Sequence, residues 1–315
     1  MQPSTAVGRA CAELRFTERV GREFAPLTFP RFRGLLSPDR QNVMAFGAFA
    51  RQSTLTLDPE EIPVGLALLG KPPEQQAQMS LLSIMVHSLY RGKGVASALL
   101  ARAESAALSQ GAPSLVASYS SRLPRRAEFE RLLARAGWSS PEVTLMRTAG
   151  HSAAVAAEMD RLESSHRPFL PPGASIGLWS SVTESERCQV DELVAEIPFN
   201  AFLAPSLYEK TAHPDLSIVL RLNGRIAGWV FGERHSDDLC YYPCGYIIPA
   251  LYRRASYVAL IREVCRKQAA LFGPKSVAEL SATPKVPGLP RFMRERLGPC
   301  SLWYDEMWKS TKEVS

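Results

Sequence analysis

The spacing of apolar residues changes period several times along the chain, and each change marks an expected element. Residues 12–17 alternate between polar and apolar types, the two-residue period of a strand. Residues 44–51 and 62–69 read as a hairpin. Residues 79–86, MSLLSIMV, are apolar on both faces, which predicts a central strand. The period then lengthens: Val95, Leu99, Ala103 and Ala106 share one stripe of a helix over 95–107. Residues 114–118 return to strand. Residues 125–136 predict a second helix, with Pro124 near its start and Gly137 ending it, and 143–147 a closing strand.

The same order then recurs. Residues 184–197 predict a helix, and 217–222 with 226–233 a hairpin across Asn223-Gly224, a strong two-residue turn signal. A strand over 245–248, a helix over 257–271 and strands over 277–281 and 301–308 complete it. Leu89-Tyr90-Arg91 reappears 162 residues later as Leu251-Tyr252-Arg253. Gly65 in IPVGLALLGK is matched by Gly228 in IAGWVFGER, and Gly137 by Gly298. Three matches at nearly one spacing predict two copies of one fold. Residues 151–164 predict a linking helix, and Pro168, Pro171, Pro172 and Gly173 a loop. The expected organisation is a disordered lead-in over 1–11, a first unit over 12–150, a linker over 151–172 and a second unit over 173–315.

Composition narrows the class. A chain of 315 residues, 46% apolar and 22% charged, suits two globular domains. It lacks the run of about 18 uncharged apolar residues that a membrane-spanning helix needs, and its first residues show no basic-then-apolar leader. Six cysteines are too sparse for a disulfide scaffold and point to a reducing, cytoplasmic setting. Cys240 and Cys244 are close, but no second Cys/His pair stands at a zinc-site spacing, so no metal is expected. Residues 1–150 hold 18 Lys and Arg against 12 Asp and Glu, so the whole net charge of +6 lies in the first half. That suits a small anionic ligand. The basic residues are scattered rather than run together, which argues against nucleic acid.

The sharpest local signal is SIMVHSLYRGKGVASALLARA, in which a strand, a glycine-bearing loop and a helix follow one another. Gly92 and Gly94 allow backbone N–H groups to converge, and the helix start at Val95 adds unpaired N–H groups and a partial positive charge. Such a loop receives a diphosphate, and Arg91 and Lys93 add charge beside it. Ser97 stands where a dinucleotide fingerprint needs its third glycine, and the Gly-Lys-Ser/Thr ending of a nucleotide-triphosphate loop is missing.

The stretch resembles the coenzyme A loop of the GCN5-related N-acetyltransferase (GNAT) family, whose motif Arg/Gln-x-x-Gly-x-Gly/Ala is met by Arg91, Gly94 and Ala96. Val86-His87, Leu99-Leu100 and Ala136-Gly137-Trp138 also resemble that family's pattern. The resemblance covers about residues 12–148, and the second half looks like a degenerate copy, as in tandem members. It implies an α/β (α+β) fold of two such units, each a mixed, largely antiparallel sheet flanked by helices. It implies further that Met85 and Val86 bind the pantetheine arm, and that Arg91, Gly92, Lys93, Gly94, Val95 and Ala96 hold the diphosphate of acetyl-CoA or another acyl-CoA. The implied activity is acyl transfer to an amine-bearing small molecule or peptide, by direct attack on the thioester.

The pattern also breaks. Leu133 stands where the family commonly has the tyrosine that protonates the departing thiolate. Tyr119 is a substitute candidate, and His87 is the candidate for proton transfer on the amine side, histidine being the side-chain type suited to proton exchange near neutral pH. Ser80 and Ser83 are the polar residues of the central strand, and neither is a good base. Glu60, Glu61 and Glu74 flank the sheet in loops. In the second copy, Arg253-Arg254-Ala255-Ser256 replaces the glycine-rich loop, so no coenzyme A is expected there. A non-catalytic acyl-CoA sensor is the alternative to an enzyme.

Overall fold

A computed structural model describes residues 13–37, 42–52, 60–70, 78–165, 168–196, 203–286 and 288–313. The expected lead-in over 1–11 and Glu74 lie outside the described residues. Contacts divide the chain into two units, one running to Glu142 and resuming at Trp308, the other spanning Val143–Met307.

In the first unit, strands β1 (Leu14–Thr17), β2 (Val43–Gln52), β3 (Glu60–Gly70), β4 (Gln78–Val86) and β5 (Ser114–Ser120) lie side by side in that order. The pairs are antiparallel except β4 with β5, which is parallel. Helices α1 (Val95–Ser109) and α2 (Arg126–Arg135) cover one face. There Leu99, Leu100, Ala103 and Leu133 meet Ala67, Leu69, Leu81 and Leu115 in a buried core. Two short 3₁₀ helices, Arg22–Leu27 and Pro30–Leu36, cover the other face, with Phe24, Leu27 and Leu36 against Leu66 and Leu68. Gly65 permits the first packing: a Cβ there would lie 2.8 Å from Val95 Cγ1 and 2.9 Å from Leu99 Cδ1.

The second unit repeats the plan. Its strands are β6 (Glu142–His151), β7 (Ala174–Leu178), β8 (Ile218–Leu222), β9 (Arg225–Arg234), β10 (Leu239–Ile247) and β11 (Val277–Ala282), in the order β6-β11-β10-β9-β8-β7. Here too a single pair, β10 with β11, is parallel among those whose register is resolved. Its helices are α3 (Ser152–Ser164), α4 (Glu184–Glu196), α5 (Ser256–Phe272) and the short α6 (Leu289–Phe292). Gly228 lies opposite Ile247 at the end of β10, as Gly65 lies opposite Val86 at the end of β4.

Several elements differ from the sequence expectation. The strand expected over 143–147 to close the first unit is β6, which pairs with β11 from Met146 opposite Ala282 to His151 opposite Val277. The expected linking helix is α3, whose Val155, Ala156, Met159 and Leu162 form an apolar stripe buried with Val258, Ile261 and Val264 of α5. The second central strand starts at Leu239 rather than 245, because Pro243 falls within a register shift between Tyr241 and Cys244, where a missing N–H does not interrupt the strand. The last strand, β12, runs over Ser301–Glu313 and is divided between the units at Met307.

Candidate active site

The site of the first unit is made by the way β4 and β5 part. Their registered pairing ends with Ser80 opposite Val116, while β4 continues to Val86 and β5 to Ser120. Beyond Ser80 the edge of β4 that faced β5 is therefore open. Its other edge stays paired with β3 through Met85 opposite Leu66 and Val86 opposite Gly65. A bulge interrupts that ladder: Leu68 faces Ser83 but Leu69 faces Leu81, leaving Leu82 over. The bulge puts Ser83 on the 3₁₀-helix face of the sheet with Leu68 and Met85. Ile84 and Val86 are on the α1 face.

The connection over 87–94 is held from several sides. The His87 N–H donates to the Val64 carbonyl at 2.8 Å, and Tyr90 N–H to the His87 carbonyl at 2.9 Å. Arg91 Nε donates to the Val86 carbonyl at 2.9 Å, so this arginine fastens the loop to the strand end. Lys93 Nζ rests 4.8 Å from the centre of the Tyr90 ring, and His87 meets the same ring edge-on. Gly92 and Gly94 take φ of 72° and 80°, in the left-handed region, and a Cβ on either would meet no atom within 4 Å. Gly94 is the N-cap of α1, and no side chain caps that helix end. The first intrahelical bond runs from Ala98 N–H to the Gly94 carbonyl, so the N–H groups of Val95, Ala96 and Ser97 find no partner inside the helix. Open space, free N–H donors and the positive end of a 15-residue helix are the features that favour a bound anion.

The two proton-transfer candidates sit differently. Tyr119, three residues past the last β4–β5 pair, is buried, with its ring edge-on to Phe129 at 5.0 Å. Its hydroxyl donates to Glu130 Oε1 at 3.2 Å, and burial pushes its pKa up to about 12. His87 is exposed at the end of β4. Leu133 is buried in the core. Of the flanking acids, Glu61 is engaged by the Arg15 guanidinium at 2.9 Å and lies 3.5 Å from Arg51, which holds its carboxyl below the usual range.

In the second unit the corresponding connection covers 248–255, and its N-cap is Ala255 rather than a glycine, at φ 58°. The next two residues close the place where the first unit is open. Ser256 is fully buried and donates to the Phe169 carbonyl at 2.8 Å. Tyr257 lies across β10: a Cβ on Gly245 would be 2.4 Å from its hydroxyl. Ala96 holds the second position of α1, so the first unit has no ring there. Tyr257 was not singled out from the sequence, nor were Gly65 as a packing residue and Thr28, whose side chain meets Ser83. The aromatic at the second helical position was the one readable signal among these.

Among the described residues, no group of three or more His, Cys, Asp or Glu side chains is placed to hold a metal, and no helix is long and apolar enough to cross a membrane.

Residues 23–133 match the profile of the Acetyltransferase (GNAT) family. Two solved structures similar to this chain cover most of it. One is a tandem GNAT protein from the clavulanic acid biosynthesis pathway, 16% identical, with a TM-score of 0.53 over 96% of this chain and 99% of that one. The other is a GCN5-related N-acetyltransferase from Sphaerobacter thermophilus, also 16% identical, with a TM-score of 0.54 over 90% of this chain and 84% of that one. No curated protein matches the sequence. Residues 23–133 thus carry the profile of the GNAT family, and the chain has the fold of tandem GNAT proteins.

Proposed function

We propose that the first unit binds an acyl-coenzyme A and transfers its acyl group, acetyl in the simplest case, to a primary amine on a small molecule or peptide. The observation that carries this reading is the unpaired N–H end of α1, reached through two left-handed glycines with open space beside them, next to a strand that has lost its neighbour. The diphosphate fits against the N–H groups of Gly92 to Ala96. The pantetheine arm fits along the open edge of β4 by Met85 and Val86, where it replaces the strand partner that β5 ceases to be. Arg91 and Lys93 serve mainly to hold the loop in shape, since Arg91 binds Val86 and Lys93 lies on Tyr90.

The reaction forms a bond from the amine nitrogen to the thioester carbonyl carbon and breaks the carbon–sulfur bond. The amine loses a proton and the departing thiolate gains one. We assign the first to His87 acting through water at the mouth of the site. For the second, the Tyr119 hydroxyl is assigned as a hydrogen-bond donor to the sulfur, after turning from Glu130, and solvent water supplies the proton that the thiolate takes up as it leaves. The second unit is proposed to bind no coenzyme A, because Ser256 and Tyr257 fill the equivalent space.

A second reading, an acyl-CoA sensor without turnover, is favoured by Leu133 in place of a proton donor and by the engagement of Tyr119 with Glu130. Thiol release from acetyl-CoA that depends on added amine decides for the enzyme; binding with no release under any amine decides for the sensor. The site itself is tested by one matched pair. Gly94→Asp puts a carboxylate at the N-cap of α1; aspartate tolerates a left-handed backbone, so the helix survives while the anion is repelled. Acetyl-CoA affinity by calorimetry is expected to fall about 100-fold, which is about 3 kcal/mol of charge repulsion. Ala255→Asp makes the same change at the other N-cap and is expected to leave affinity unchanged; equal losses would refute the one-site reading.

A further inference from the structure

The bulge in β4 brings a buried hydroxyl pair to the point where that strand is open. Thr28, just after the first 3₁₀ helix, donates from Oγ1 to Ser83 Oγ at 3.2 Å, and the two residues are 4% and 5% exposed. Their surroundings are apolar: Phe24, Leu27, Leu66 and Leu68 form the core on that face, with Met85 packed against it. A hydroxyl has one hydrogen to give. Thr28 spends its own on Ser83, and among the described residues Ser83 has no acceptor for its hydrogen. Leaving a buried donor unmade costs about 1–3 kcal/mol, so such a group calls for a ligand acceptor. Ser83 stands three residues before the end of β4 and three beyond its last pairing with β5, on the edge of the opening.

We propose that Ser83 is a catalytic residue of the acyl transfer: its hydroxyl donates a hydrogen bond to the thioester carbonyl oxygen, and Thr28 is the positioning residue that fixes its direction. The proposal rests on the acyl-CoA reading above. As the amine attacks, the carbonyl oxygen gains negative charge and the bond strengthens, more so because the apolar surroundings exclude water. Ser83 keeps its proton throughout; the amine's proton and the thiolate's follow the routes already given. Accepting from Thr28 commits one lone pair of Ser83 and restricts the rotation of its hydroxyl, so the donor is held before substrate arrives.

The test uses acetyl-CoA carrying ¹³C at the thioester carbonyl, with the full-length protein. On binding to the wild type, the carbonyl stretch is expected to fall in frequency and the ¹³C resonance to move downfield; Ser83→Ala is expected to lose most of both shifts. In turnover with an amine, Ser83→Ala should lower kcat about 10–100-fold, with KM for acetyl-CoA within about threefold. Thr28→Val should lower kcat about tenfold, and Thr28→Ser should restore it, a rescue that a purely packing role for Thr28 does not give. If Ser83→Ala melts well below the wild type, the Thr28→Val and Thr28→Ser pair decides the matter alone. Unchanged carbonyl signals and kcat within twofold in a folded Ser83→Ala, or no rescue by Thr28→Ser, would overturn the assignment while acyl-CoA binding stands. Failure of the wild type to bind acetyl-CoA would overturn both.

Discussion

Tyr119 illustrates how surroundings set what a side chain can do. Its phenol is buried and its pKa pushed up to about 12, so it stays protonated throughout the neutral range. Moving that proton fully onto a thiolate of ordinary basicity, near 8.5 for a thiol, would be uphill by about 5 kcal/mol. A hydrogen bond to the developing thiolate carries no such penalty. Tyr119→Phe is therefore expected to lower kcat about tenfold, with KM for acetyl-CoA unchanged. The basic limb of the pH profile should keep its position, because a group with a raised pKa does not titrate until far above it. A limb that disappears in Tyr119→Phe would show instead that the phenol titrates in the working range. At this scale the loop was legible in the sequence, since glycine before a helix is a backbone requirement written directly as residue type. The Thr28–Ser83 pair was not: the two residues are 55 apart, and a hydroxyl on an irregular segment leaves no periodic trace.

Elements obey rules of their own, and α4 shows one that also sets a pH dependence. Thr183 and Glu186 cap each other: Thr183 N–H donates to Glu186 Oε2 at 2.9 Å, and Glu186 N–H to Thr183 Oγ1 at 3.3 Å. Arg221 of β8 grips the same carboxylate, Nε to Oε1 at 2.5 Å and Nη2 to Oε2 at 3.0 Å. The Arg221 guanidinium and the Thr183 amide bring the Glu186 pKa down to about 2. Because the folded value lies below the unfolded one, near 4.5, this stabilisation is complete above about pH 4.5 and fades as pH falls toward 2. Thermal melts of wild type and Glu186→Gln should differ most at pH 7 and converge below pH 4.5. A gap independent of pH would mean that the charge contributes nothing. The T-x-x-E spacing was readable; its partner on β8 was not, because salt bridges between elements follow packing rather than spacing. Pro243 misled in the opposite direction, as a strand breaker that the fold accommodates at a bulge.

At the scale of the molecule, the repeat was legible because both copies keep the same residues where strand, turn and helix meet, Gly65 with Gly228 and the Leu-Tyr-Arg triplets among them. The path of the last strand was not, since its residues show no clean two-residue period and do not say which neighbours it pairs with. The residues of β12 from Trp308 onward belong to the first unit. Thr311 makes two bonds with Ser139, its carbonyl accepting from Ser139 N–H at 2.8 Å and its N–H donating to Ser139 Oγ at 2.9 Å. Lys312 Nζ donates to Glu104 of α1 at 2.6 Å and to the Ala136 carbonyl at 2.7 Å. Trp138 Nε1 donates to the other oxygen of Glu104 at 2.7 Å, so one carboxylate joins α1, the turn after α2 and the end of the chain. Ending the protein after Met307 removes the bonds of Thr311 and Lys312 and the apolar contact of Trp308 from the first unit. The truncated protein is expected to lose acetyl-CoA affinity at least tenfold, although no removed residue belongs to the loop over 91–96. Amide exchange should rise in α1 and β5, while α5 and β9 keep their protection. The reverse pattern, with α5 and β9 deprotected and α1 intact, would show that the chain's end supports the second unit, and the division of β12 at Met307 would have to be redrawn.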